Sequence, residues 1–311
     1  MQWESMEAAM NEVVKATAGL AIFCMAAGCA QTERPLIDEG TQAEVITEGY
    51  QFTEGPYWHE DGYLLFSDIP ANRIYRWTPG GEAEVYLEPS GNSNGIQADI
   101  HGSLLIVQHA GRLSRVTDDL QTEVLVDNYE GNRLNSPNDL AIRSDNTVYF
   151  TDPPFGVSEE DRELDFSGVF RFTPGGELSV IYDGFNRPNG IVFSPDETRL
   201  YVNDTETGNI IVMDVDQDGN TSGPRQFASV GPGSSGGAAD GMVTDTDGRL
   251  YTTSPAGLSV FDASGGHLQD IDFPHRITNL EWGGQEHNHL YATSPDRVFR
   301  MKFNVTGHKR R

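Results

Sequence analysis

Beyond about Ile46 the chain carries almost no helical periodicity. Short runs of β-branched, aromatic and aliphatic residues alternate with Gly, Asp, Asn and Pro at close intervals, a pattern that predicts many short strands joined by tight turns. One unit recurs six times: a polar residue usually followed by Gly or Asp, an apolar strand, a turn, a second apolar strand and a third. The first strands open at Glu54-Gly-Pro-Tyr-Trp, Asn94-Gly-Ile, Asn138-Asp-Leu, Asn189-Gly-Ile, Asp240-Gly-Met and Asn279-Leu-Glu. The second strands read Leu64-Leu-Phe-Ser-Asp68, Leu105-Ile-Val-Gln-His109, Val148-Tyr-Phe-Thr-Asp152, Leu200-Tyr-Val-Asn-Asp204, Leu250-Tyr-Thr-Thr-Ser254 and Leu290-Tyr-Ala-Thr-Ser294. Repeats of 39 to 51 residues with about four strands each are the blades of a propeller, and six close a ring. A solenoid would need capping repeats of a different character, and the first and last units are ordinary. The predicted fold is all-β, a six-bladed β-propeller over residues 46–305 with a metal site in its central channel, followed by a basic tail over 306–311.

Innermost strands line the channel of a propeller, so the six opening residues converge on its axis. Every one of Glu54, Asn94, Asn138, Asn189, Asp240 and Asn279 bears a side-chain oxygen. The return strands end in a second polar set: Asp68, His109, Asp152, Asp204, Ser254 and Ser294. Two such rings near one mouth are costly to bury unless something satisfies them. Carboxylates and amide carbonyls with no thiolate suit a hard divalent cation, Ca²⁺ first, with Zn²⁺, Mg²⁺ and Mn²⁺ as alternatives. For a single Asn, capping a turn is the simpler account; six at equivalent positions point to a ligand site.

Composition narrows the function. With 47 Asp+Glu against 21 Lys+Arg and a net charge of -26, most of the surface repels a polyanion, which argues against nucleic-acid binding. The length would allow two domains, but six repeats consume it as one. Both cysteines, Cys24 and Cys29, fall in the first 30 residues. They lie in or at the end of an apolar stretch that follows Lys15, has the length of a signal-peptide core and is short for a membrane span. Ala-Ala-Gly-Cys29 resembles a bacterial lipoprotein cleavage box, with Ala26 where Leu is usual. A start at Met10 gives a more ordinary leader than the acidic segment before it. Residues 1–29 are therefore read as a lipoprotein-type signal peptide and 30–45 as a linker. The expected location is the periplasm or outer membrane, with membrane contact only through the lipid.

Thr53-Glu-Gly-Pro-Tyr-Trp58, Arg133-Leu-Asn-Ser-Pro-Asn-Asp139, Tyr149-Phe-Thr-Asp-Pro-Pro-Phe-Gly156, Arg187-Pro-Asn-Gly-Ile191 and Asp240-Gly-Met242 together resemble the gluconolactonase/regucalcin (senescence marker protein) superfamily, closest to its bacterial gluconolactonase branch. The resemblance spans nearly all of the chain beyond position 45. It implies a six-bladed propeller that holds one divalent cation through Glu54, Asn138, Asn189 and Asp240. It also implies hydrolysis of a sugar lactone, with Asp240 as general acid/base. Asn138 is implied as ligand or substrate contact. Regucalcin-type members carry a substrate-binding Arg two residues before this Asn. Here that place is Ser136, and the nearest arginine is Arg133. Arg133, His109 and Asn94 complete the candidate substrate contacts. Asp152 and Asp204 are read as strand-end hydrogen-bonding residues. Tyr57, Trp58 and Phe155 either wall the pocket or pack the blades. The competing readings are another lactonase or phosphotriesterase of this fold and a non-enzymatic propeller that binds sugar or protein. The run Gly231-Pro-Gly-Ser-Ser-Gly-Gly237 reads as a loop near the channel mouth.

Overall fold

The computed structural model describes residues 35–233 and 238–309. The predicted signal peptide, the first part of the linker and residues 234–237 of the glycine-rich run lie outside that range, as do the last two residues. Among the described residues there is no helix at all, and six four-stranded antiparallel sheets carry the fold. Five are simple meanders, over residues 53–87, 93–126, 140–185, 188–229 and 242–271. The sixth takes three strands from residues 280–302 and its outermost strand, Glu44–Glu48, from the other end of the chain.

Two boundaries move. Residues 36–45 of the segment expected as a linker already pack with the ring, because Leu36 is buried among Ile277, Phe299 and Phe303 and its carbonyl accepts the Asn304 N–H. The described part of the expected basic tail is docked as well: the N–H groups of Gly307 and His308 donate to His287 and Thr244, and Gly307 bridges Asp245. Burying backbone requires such partners, and in both segments described residues are tied to the ring by them.

The apolar core is divided among the seams. Each of six hydrophobic clusters packs residues of two adjacent blades, for instance Leu64, Phe66 and Trp77 of blade 1 with Tyr291 and Val298 of blade 6. The tyrosines that recur in the second strands, Tyr149, Tyr201, Tyr251 and Tyr291, are at most 2% exposed, so their recurrence reflects seam packing. Trp58 stacks on Tyr291 with centroids 4.9 Å apart, which assigns it to packing too.

At the axis, hydrogen bonds link each blade to the next. Ser67 Oγ donates to Asn94 O (2.8 Å), Gly95 N to Asn138 O (2.9 Å) and Thr151 Oγ1 to Asn189 O (2.7 Å). Asn203 Nδ2 donates to Asp240 O (2.6 Å), Gly241 N to Thr278 O (2.9 Å) and Thr278 Oγ1 to Thr53 O (2.7 Å). This circuit accounts for the glycine that follows most axial residues. A Cβ on Gly190 would sit 2.1 Å from Asp240 O, and one on Gly55 would sit 1.9 Å from Asn94 O at a φ of +53°. No side chain fits between blades so close. Gly190→Ala is expected to lower the thermal midpoint by an amount corresponding to about 2–3 kcal/mol through overpacking. A melt indistinguishable from wild type would show that the seam can open at no cost.

Candidate active site

Strand register fixes which side chains share the axis. The positions equivalent across the six blades are Glu54, Asn94, Asn138, Asn189, Asp240 and Thr278. Five are those expected. The sixth is displaced by one: Asn279 stands where blade 3 has Asp139, and Thr278 holds the axial place. The reason is visible in the backbone, where Asn138 N and Thr278 N donate to Thr151 O and Thr293 O in the same way. Asn279 still serves the site, since its Nδ2 donates to Glu54 Oε2 at 3.0 Å.

The second ring is not a ligand ring. Asp68 accepts the N–H groups of Gln51 and Phe52, Asp152 those of Asn135 and Ser136, and Asp204 those of Asn186 and Arg187. Each carboxylate thus pins the loop that leads into its own blade's first strand. Burial nevertheless pushes Asp152 up to about 7 against the pull of those two donors. In blade 2 the equivalent residue is Gln108, paired with Ser93, so His109 lies one residue beyond the place assigned to it from sequence.

Glu54, Asn94, Asn138, Asn189 and Asp240 are 1–5% exposed. Burial raises the Glu54 carboxyl well above the ordinary range, and the charge of Asp240 adds to it; the Asn279 amide and the Gly55 N–H pull the other way. Asp240 is also raised by burial, with Arg276 opposing, Asp139 adding and an Asn189 hydrogen bond opposing. Two carboxylates are thus held together out of water without enough positive charge. The neighbouring amides add acceptors. Asn189 Nδ2 donates to Thr205 Oγ1 at 2.9 Å while its Oδ1 is buried without a hydrogen-bond partner, and Asn94 Oδ1 is in the same condition.

Among the described residues no group of three or more His, Cys, Asp or Glu is placed to hold a metal. A cation here would be held by two carboxylates and amide oxygens, a donor set of hard oxygen atoms that suits Ca²⁺ or Mg²⁺ better than Zn²⁺.

Of the four expected substrate contacts, Asn138 and Asn94 are axial residues, and His109 and Arg133 lie beside Asn94. His109 Nε2 lies 3.3 Å from Asn94 Nδ2, so with the amide donating it is an acceptor. Burial lowers the His109 pKa to about 4, which keeps the ring neutral at pH 7. Arg133 is carried by a short hairpin (Asn128–Tyr129 with Asn132–Arg133). Its guanidinium donates to the carbonyls of Leu134 (2.8 Å), Asn135 (2.9 Å) and His109 (3.4 Å), so much of its donor capacity ties blade 2 to the approach to blade 3.

One residue of the site was not expected. Arg276, in the loop before blade 6, places Nη2 3.6 Å from Asp240 Oδ2. The available signal was an arginine two residues before an axial position, as Arg187 precedes Asn189. Displacing the sixth axial position to Asn279 concealed it.

The family pattern described as the SMP-30/gluconolactonase/LRE-like region matches residues 52–296, the ring apart from the two outer strands of blade 6, Glu44–Glu48 and Arg297–Lys302. The chain belongs to this family. It is 36% identical to a gluconolactonase of Zymomonas mobilis over 88% of this chain and 84% of that one. It is 28% identical to a pentonolactonase of Haloferax volcanii, covering 82% of this chain and 85% of the relative. Among solved structures, a gluconolactonase from Xanthomonas campestris superposes with a TM-score of 0.76 at 32% identity, over 85% of this chain and 89% of that one. Membership confirms the six-bladed ring expected from the repeats.

Proposed function

We propose that the chain is a divalent-cation-dependent hydrolase that opens the ring of a sugar lactone at the channel mouth. Support comes from the family's named lactonases and, above all, from one observation: Glu54 and Asp240 are buried together, each carboxyl raised, beside an Asn189 oxygen that bonds to nothing. Glu54, Asn138, Asn189 and Asp240 are the residues that would hold the cation. When bound, a divalent cation supplies charge that polarises an ester carbonyl and offsets the developing oxyanion.

The chain's own groups do the rest. The Asp240 carboxylate takes a proton from the attacking water as the water oxygen bonds to the carbonyl carbon. The ring C–O bond then breaks, and Asp240 returns the proton to the departing alkoxide. A carboxylate can serve both transfers, because the proton it takes from water goes on to the far more basic alkoxide. With His109 Nε2 taken by the Asn94 amide, Asn94 Oδ1 and the N–H left on Nδ1 of neutral His109 offer an acceptor and a donor for ring hydroxyls. We assign the protein to the cell envelope, as a lipoprotein attached through Cys29.

Acid release from glucono-1,5-lactone by the purified protein, followed with a pH indicator, tests this reading. Activity is expected with Ca²⁺, to fall to the spontaneous rate in EDTA, and to return when Ca²⁺, Mg²⁺, Mn²⁺ or Zn²⁺ is restored. Pentonolactones, aryl esters and phosphotriesters in the same assay define the substrate class. No lactone hydrolysed faster than the spontaneous rate with any of these cations would remove the proposal.

A further inference from the structure

Blade 6 differs from the others at the axis. Its axial residue, Thr278, spends its hydroxyl on Thr53 O at 2.7 Å, and the amide of the next residue, Asn279, is committed to Glu54. Arg276, two residues before Thr278, faces Asp240 from this sector. Its carbonyl accepts Ser294 Oγ at 2.7 Å, which fixes the backbone. Its guanidinium lies over the Phe52 ring, 5.9 Å from the centroid, and 3.6 Å from Asp240 Oδ2. Nε is buried without a hydrogen-bond partner, yet the side chain as a whole is 35% exposed. Asp240 itself is only 7% exposed at the side chain. An arginine kept solely to neutralise Asp240 has no need of that exposure. This one is anchored at its backbone and aromatic side and open at the channel mouth, with hydrogen-bonding capacity in reserve.

Ring opening turns a neutral ester into a carboxylate: water adds across the acyl C–O bond, the ring oxygen leaves as a hydroxyl, and both carboxylate oxygens lie in one plane. A guanidinium matches that plane with two parallel N–H donors, which an ammonium cannot do. We propose that Arg276 is the acyl-oxygen clamp of this pocket, donating to the carbonyl oxygen of the bound lactone and to the carboxylate of the ring-opened acid beside Asp240. The inference rests on the lactone-hydrolase reading and deepens it, by giving one residue the recognition of the group that changes during the reaction. It also makes the product a ligand in its own right, so inhibition by the aldonic acid follows.

The test uses the full chain in Ca²⁺, with D-gluconate titrated by calorimetry and D-glucitol, which lacks the carboxylate, as the matched probe. In Arg276→Gln, gluconate is expected to bind about tenfold more weakly or worse, with the KM for gluconolactone raised in step. The response to D-glucitol should be unchanged. Arg276→Lys should recover part of the loss, since it keeps the charge without the fork. Arg225→Gln, which breaks an exposed pair with Asp214 on the outer edge of blade 4, should match wild type. Gluconate affinity and KM within twofold of wild type in Arg276→Gln would overturn the clamp. If that variant does not fold, Arg276→Lys decides, and wild-type gluconate affinity there overturns it equally. A wild-type protein that hydrolyses no lactone and binds no gluconate removes the lactonase reading along with the clamp.

Discussion

Asp240→Asn is expected to lower lactone hydrolysis by about 10²- to 10⁴-fold, the range lost with a positioned acid/base, while leaving the propeller folded. The two halves of this expectation have separate causes. Activity falls because the amide neither takes the proton from water nor returns it to the ring oxygen. Stability holds because, without a cation, ionised Asp240 is a burden on the fold: it is desolvated and raises the neighbouring Glu54. An amide of the same shape relieves that repulsion. What it gives up is the contact with Arg276, a 3.6 Å pair whose cationic side is a third exposed and therefore of small worth. The thermal midpoint in EDTA should equal or exceed that of wild type, and the rise on adding Ca²⁺ should shrink. A variant retaining a third or more of wild-type turnover would move the proton transfer to another group.

The second large effect is a dependence of stability on pH that a cation abolishes. Carboxyls raised in the folded state bind protons that the unfolded chain has already released. Their contribution is fully present below the unfolded value near 4 and is lost as pH rises through the folded values. Glu54 and Asp240 are of this kind, as is Asp152 at about 7. Between pH 4 and 6.5 three histidines oppose them, because burial lowers His109 and His287 to about 4 and depresses His289. As pH rises above 6.5 the unfolded rings lose their remaining protons, and the carboxylates increasingly decide. Scanning calorimetry in EDTA should therefore give a midpoint that falls between pH 6.5 and 8.5. Calcium at a hundred times its dissociation constant should return about 2.7 kcal/mol at the upper pH and less at the lower, where protons compete for the ligands. A midpoint indifferent to both pH and cation would mean that Glu54 and Asp240 do not form a cation site.

Much of this architecture was legible in the sequence because a propeller repeats one physical problem six times. Polar residues followed by glycine mark the places where one blade's carbonyl meets the next blade's backbone, as at Gly55 and Gly190, and that constraint shows in a single chain. The errors were slips of one residue. His109 beside Gln108, and Asn279 beside Thr278, are pairs in which both neighbours carry polar side chains, so either fits the pattern; only ladder pairing separates them. Arg276 follows from the second slip: its spacing two residues before Thr278 matches that of Arg187 before Asn189, and it is hidden once Asn279 is taken as the axial residue. The closing strand lay beyond local pattern as well, because Glu44–Glu48 gains its meaning from a partner at the far end of the chain.

That partnership bears on how the protein is made. Arg300 and Glu44 sit 256 residues apart in sequence and pair their side chains at 2.6 Å. A polypeptide leaving the ribosome N-terminus first would carry this strand with nothing to bind until the final blade emerged. Five meanders can form in order from local hairpins, but the ring cannot shut behind them early. Contacts of such separation are slow to form and leave an edge exposed to other chains while they wait. The protein therefore has a vulnerable interval before blade 6 is complete, when a nearly finished ring still lacks its fastening and a chaperone would have most to protect.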